Sequence, residues 1–189
     1  MGILLLYDII EHENRVALLG RKFMQYLSAP EKEAAVIFLA ALNHDIGKVS
    51  VGEDILLKPG KLSNKEFGTV KNHPKIGATI MAQRGLNAQA VKAILQHHES
   101  WDGSGYPYGD TRHNISYPAR ILKLCDVYDA LTHKRCYRSR AYLPEEAIEQ
   151  MDIMATQFEP ELYIKFREFI KVTYIKAGGK DAAQSIEAI

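Results

Sequence analysis

The amino-acid sequence predicts an all-α protein. Apolar residues recur at helical spacing along nearly the whole chain, and no stretch of strict alternation lasts long enough to make a strand. The segment boundaries carry helix-start residues: Pro30, Ser63, Asn87, Pro118, Pro144 and Pro160.

Residues 3–27 form the first predicted helix and 31–44 the second, which opens after Pro30. In LSNKEF, Ser63 is the N-cap of a helix running from Asn64 toward His73. Glu66 completes a capping box, and Leu62 and Phe67 occupy the positions of a hydrophobic staple. A helix beginning near Pro74 is ended by Gly85, and Asn87 caps the next, which runs from about Ala88 into His97 and His98. Residues 99–117 read as a long irregular segment, a length that in a compact domain is usually functional or disordered. Helices over 118–133, 144–156 and 160–176 follow, each with a proline in the first turn, and the residues beyond 177 form a tail.

With 189 residues, 47% of them hydrophobic, the chain is long enough for one domain, 1–189, with a sizeable core. Its 24 basic and 23 acidic residues leave a net charge of +1, which provides no field to attract a DNA or RNA polymer or an anionic membrane. The longest uncharged apolar run, Ala34 to Leu42, is far short of the roughly 20 residues a membrane span needs. The opening MGILLLYDII lacks a basic leader and is interrupted by Asp8, so a cytoplasmic location is expected. Cys125 and Cys136 make neither a disulfide framework nor a zinc-type pair and are assigned to packing.

Histidine and aspartate carry the chemistry. His12, His44, His73, His97 and His98 fall within or at the ends of predicted helices among apolar neighbours, and helical bundles build metal sites from such inward-facing side chains. Singly, each reads more readily as a cap or a satisfied core group than as a ligand. Together they gain weight, because Asp45 directly follows His44 and could bridge two cations. Asp126 sets a carboxylate on an otherwise apolar helix, where a free charge is costly. Asp129, one turn later, is an alternative functional acid or a partner behind the ligands.

The strings HDIGK (44–48), ILLKPGKL (55–62), HPKIG (73–77), HHESWDGSGYP (97–107) and PARILKLCDVYDALTHKRCYR (118–138) resemble the HD-GYP branch of the HD metal-dependent phosphohydrolases, from about Asp8 to Phe166. The resemblance implies an HD-domain helical bundle with a metal site in its core and two divalent ions, iron or manganese. It also implies hydrolysis of cyclic di-GMP to pGpG, and onward to GMP as a further step, by a metal-bridging hydroxide. Carried over by position, the ligands are His12, His44, Asp45, His73, His97, His98 and Asp126, with Asp45 as the bridge. Lys48 then lies near the phosphate, and Tyr106, Arg135 and Arg138 lie near the nucleotide. Asp8 stands where many family members carry a glutamate associated with a third metal. A signalling partner docking on the GYP loop and a homodimer are further expectations, as is an isolated catalytic domain or a fragment of a longer protein. Two rival readings remain: an HD hydrolase of another nucleotide, which would lack the GYP loop, and a cyclic di-GMP receptor with little turnover.

The secondary residues also have plainer readings. Lys48 could complement a helix C-terminal dipole, Arg135, Arg138 and Arg140 could form a solvated face, and WDGSGYP alone is a turn with an aromatic anchor.

Overall fold

The protein is described here by a computed structural model covering residues 2–133 and 140–175. These residues form α1 (Ile3–Tyr26), α2 (Glu31–Ala41), α3 (Glu53–Leu56), α4 (Asn64–Val70), α5 (His73–Gln83), α6 (Ala88–Gln96), α7 (Tyr117–Thr132), α8 (Pro144–Ile153) and α9 (Pro160–Ile170), with no strand among them. The all-α expectation holds. Among the described residues no helix is long and apolar enough to cross a membrane.

Helix α7 is the centre of the bundle. It is buried on nearly every face, through Ala119, Ile121, Leu122, Leu124, Cys125 and Tyr128, and α1, α2, α6, α8 and α9 pack around it. A helix that is apolar all round belongs inside. Helix α1 turns one face inward through Val16, Ala17, Gly20, Phe23 and Met24, which recur at the three- and four-residue spacing of a buried stripe. Phe23 meets Phe166 of α9 edge-to-face, with ring centroids 5.0 Å apart, and Phe169 at 5.3 Å. Phe166 is fully buried, so its truncation to alanine should cost about 3–5 kcal/mol.

The capping box before α4 is present as read: Glu66 N–H donates to Ser63 Oγ, and Ser63 N–H donates to Glu66 Oε2. Several boundaries differ from the sequence reading; the helix expected to run into His97 and His98, for one, stops at Gln96. The second helix stops at Ala41 rather than 44, and the chain passes through a turn into a 3₁₀ segment, Ile46–Ser50. The reason is packing against α5. A Cβ on Gly47 would lie 2.0 Å from the His73 carbonyl oxygen, so only glycine lets this segment press onto the start of α5. Helix α8 ends at Ile153, with a 3₁₀ turn at Ala155–Gln157, and α9 passes at Ile170 into a π turn, Lys171–Ile175. The segment expected to be irregular over 99–117 contains a short 3₁₀ turn, Arg112–Asn114, and ends where α7 begins at Tyr117.

Candidate metal centre

Three histidines reach the centre by the same local device. Helices α2, α4 and α6 each end with carbonyls that have no intrahelical partner. His44 Nδ1 lies 2.7 Å from Ala41 O, His73 Nδ1 2.7 Å from Val70 O, and His97 Nδ1 2.7 Å from Ile94 O. In each case the imidazole sits three residues beyond the carbonyl and donates its Nδ1–H to it. That fixes the tautomer and leaves the Nε2 lone pair facing inward.

The Nε2 atoms converge with carboxylate oxygens into two groups. One holds Asp45, His73, His97 and His98, the other His12, His44 and Asp126, with the ligand atoms of each group within 4.8 Å of one another. Asp45 faces both. Its Oδ1 lies 3.3 Å from His73 Nε2, and its Oδ2 lies 3.7 Å from His44 Nε2 and 3.9 Å from His12 Nε2.

This donor set fits cations. His73 Nε2 and His97 Nε2 stand 3.2 Å apart, and since both rings already donate through Nδ1, neither has a proton for the other. Two facing lone pairs repel unless a cation lies between them. His44 Nε2 and Asp45 Oδ1 are likewise buried without a hydrogen-bond partner, a costly state that a metal relieves. Burial pushes His44 below the ordinary imidazole range, His97 well below it and His98 down to about 3, so all three are neutral at physiological pH, the form that could ligate a metal.

His12 is held differently. Its Nδ1 lies 2.6 Å from Asp129 Oδ2, and its Nε2 lies 3.0 Å from Asp126 Oδ1. Burial alone would lower this histidine, but the hydrogen bonds to Asp126 and Asp129 carry it up to about 9. Asp129 is clamped in turn: Arg15 Nε donates to its Oδ1 at 2.9 Å, and His133 Nδ1 lies 3.0 Å from the same oxygen. These donors and His12 hold the buried Asp129 carboxyl well below the usual carboxylate range. A carboxylate behind a ligating histidine orients the ring and raises its basicity, so of the two roles open to Asp129 the geometry matches the partner behind the ligands.

Lys48 Nζ donates to Asp45 Oδ2. Burial would push Asp45 up, but Lys48, His44 and His73 hold it well below the carboxylate range. Glu13, unremarked in the sequence, is also buried here and accepts the Asp45 backbone N–H at 3.0 Å. Burial, with Asp45 close by, raises Glu13 to about 8. Its only sequence signal is a second acid next to His12 on the inward face of an amphipathic helix.

The GYP loop folds back onto the same centre. Tyr106 N–H donates to His98 O at 3.2 Å, and the Tyr106 ring stacks on His98 with centroids 4.7 Å apart. Gly105 permits this, since a Cβ there would lie 2.3 Å from Ser100 N. Glu99, fully buried, supports the loop from below by accepting Tyr108 N–H at 2.7 Å and Asp110 N–H at 3.0 Å. Burial, with Asp126 and Asp45 near, keeps the Tyr106 hydroxyl protonated. The structure therefore brings together His12, His44, Asp45, Lys48, His73, His97, His98, Tyr106 and Asp126. Asp8 is exposed on α1, outside the convergent groups. Arg135 and Arg138 lie outside the described residues.

The HD domain family model matches residues 6–162. The chain is 40% identical over 165 residues to the cyclic di-GMP phosphodiesterase PA4108 of Pseudomonas aeruginosa, covering 87% of this chain and 39% of that protein. It is 37% identical over 153 residues to 3'3'-cGAMP-specific phosphodiesterase 2 of Vibrio cholerae, covering 80% of this chain and 29% of that protein. The chain thus spans well under half the length of these relatives. Bd1817, a HDG"Y"P protein from Bdellovibrio bacteriovorus, shares the fold with a TM-score of 0.71 at 21% identity, over 86% of this chain and 52% of that one.

Proposed function

This chain belongs to the HD domain family, and we propose that it is a metal-dependent phosphodiesterase of cyclic dinucleotides, with cyclic di-GMP as the substrate. The observation that carries the reading is the pair of ligand groups sharing Asp45, with its two oxygens turned to opposite sides. Residues 1–189 act as one catalytic domain. His12, His44 and Asp126 would hold one divalent ion and His73, His97 and His98 a second, with the Asp45 carboxylate available to both; iron or manganese would suit this mixed imidazole and carboxylate set.

When bound, such a pair neutralises a phosphodiester and lowers the pKa of water from about 15.7 to roughly 7. The chain's own residues do the rest. Lys48 neutralises Asp45 and adds positive charge beside the phosphoryl oxygens. Asp129 keeps His12 in the ligating orientation, and Glu13 fixes the Asp45 backbone. Tyr106, against His98, contacts the nucleotide at the mouth of the site, and Arg135 and Arg138 are assigned the same role. One centre cleaves one diester at a time, so linear pGpG is the first product and GMP needs a second passage.

Element analysis of the purified protein, combined with a turnover assay on cyclic di-GMP, tests the reading. Two ions per chain and release of pGpG are expected. Nucleotide binding that is unchanged after metal removal, with no turnover when metal is restored, would make the protein a receptor instead. His98→Ala should lose metal first, and Tyr106→Ala should keep metal and weaken nucleotide recognition. Equal metal loss in both variants would refute that division.

A further inference from the structure

Beside the candidate metal centre lie two side chains, Phe67 and Lys71, that the chemistry above leaves unused. Phe67 on α4 stays 43% exposed although a large apolar ring gains by burial. It meets the Tyr106 ring edge-on, with centroids 6.2 Å apart. Tyr106 in turn stacks on His98 and lies 6.5 Å from His73, so Phe67 is one ring removed from two of the convergent imidazoles. Lys71, four residues beyond Phe67 and on the same side of α4, carries its Nζ 4.8 Å from the Phe67 ring and 5.4 Å from the Tyr106 ring. The pair is anchored from behind: Lys58 Nζ donates to both oxygens of Glu66, the residue before Phe67, at 2.8 and 2.9 Å.

We propose that Phe67 and Lys71 form a purine-binding subsite that receives one base of the dinucleotide while its phosphodiester lies at the metal centre, and that this subsite favours guanine. The inference rests on the phosphodiester reading above and adds the element that recognises the base. An exposed aromatic face beside a phosphate-binding centre offers a base a stacking platform, and every base has a π-face to use it. Lys71 is a point charge on a long flexible stem. A base laid against the rings moves this ammonium from the ring face to the base edge. Guanine presents two acceptors there, N7 and O6, whereas adenine pairs its N7 acceptor with an N6 amino donor that faces the ammonium unfavourably.

The test uses the metal-loaded chain. Wild type, Phe67→Ala, Phe67→Leu, Phe67→Trp and Lys71→Ala are compared for metal content, for steady-state kinetics on cyclic di-GMP and cyclic di-AMP, and for tryptophan fluorescence on adding a bis-phosphorothioate cyclic di-GMP. Phe67→Ala and Phe67→Leu should raise KM for cyclic di-GMP by roughly 5- to 100-fold, the range for one lost base stack, at unchanged metal content. Phe67→Trp should keep KM near wild type and show ligand quenching beyond that of Trp101 in the wild type. Lys71→Ala should narrow the preference for cyclic di-GMP over cyclic di-AMP. Leucine matches the bulk of phenylalanine without its π-face, so a wild-type KM in Phe67→Leu would make the ring mere packing and overturn the proposal, as would absence of extra quenching in Phe67→Trp. A wild type that neither binds nor hydrolyses any cyclic dinucleotide would instead sink the phosphodiesterase reading, and this inference with it.

Discussion

The ligand cluster and the GYP loop meet at His98, yet the helix-end histidines of the one and the backbone of the other are held by opposite means. In the cluster, backbone carbonyls at helix ends accept from histidine side chains: His44, His73 and His97 each donate Nδ1–H to a carbonyl three residues back. In the loop, side-chain carboxylates accept from backbone amides: Glu99 takes Tyr108 and Asp110 N–H, and Asp102 takes Ser104 N–H at 3.0 Å. The cluster spends its polar groups on aiming lone pairs inward. The loop spends its own on a fixed backbone path, leaving side chains at the rim to meet a ligand. The difference separates a buried, preorganised centre from a more open edge, the division that the proposed phosphodiesterase would use to keep one part fixed and let the other admit a substrate.

The sharpest way to break this comparison is Asp45→Ala. Without the shared carboxylate, two cations would repel each other and lack ligands, so metal content should collapse and turnover should fall by roughly 1000-fold or more, as expected when several kcal/mol of charge stabilisation are lost. Helical content by circular dichroism should stay near normal. Full metal occupancy in this variant would remove Asp45 from its bridging place.

Asp129→Ala comes next. It leaves every ligand in place but frees His12 Nδ1 from its carboxylate, and loss of such a partner typically costs roughly 10- to 100-fold in metal affinity or activity. Titration with a competing chelator would measure it. An unchanged affinity would mean that Asp129 is not what orients His12.

Glu99→Ala should sharpen the comparison from the loop side. Tyr108 and Asp110 N–H would lose their shared acceptor, so amide exchange over 101–116 should accelerate and KM for cyclic di-GMP should rise roughly tenfold, the effect of about 1.4 kcal/mol from the two lost hydrogen bonds. Metal content should hold. Loss of metal together with loop order would show that the two regions form one unit.

The smallest effect is in pH. His12 binds its proton more tightly when folded, with a pKa raised from 6.5 to about 9, so its contribution is fully present below 6.5 and is lost as pH rises through 9. Glu13 is raised from 4.5 to about 8, so it too favours the folded state only while protonated, and that contribution fades between 4.5 and 8. Both act in the same direction, so the melting temperature of the metal-free protein should fall between pH 5 and pH 9. Glu13→Gln should flatten the part below pH 8. At the acid end the signs reverse: Asp45, Asp126 and Asp129 are depressed, so their stabilisation is present at neutral pH and is lost as pH falls below the ordinary carboxylate range. A melting temperature that is flat from pH 5 to 9 would show that neither His12 nor Glu13 binds its proton more tightly in the folded protein.

The sequence by itself determined the helical class and the capping box at Ser63, which depend on periodicity and local capping chemistry, and it named the convergent imidazoles and carboxylates through the motifs that carry the family resemblance. It also marked 99–117 as a segment with work to do. What only the tertiary structure decided lies in contacts between residues far apart in the chain. The Asp45 N–H finds its acceptor 32 residues earlier in Glu13, and His12 finds its supporting carboxylate 117 residues later in Asp129. The end of the second helix at Ala41 was likewise beyond local pattern, since the close approach of Gly47 to His73 exists only once α5 packs there. Glu99 shows the boundary most clearly: in the sequence it is one acid in a polar string, and burial under the loop it supports makes it the anchor of that loop.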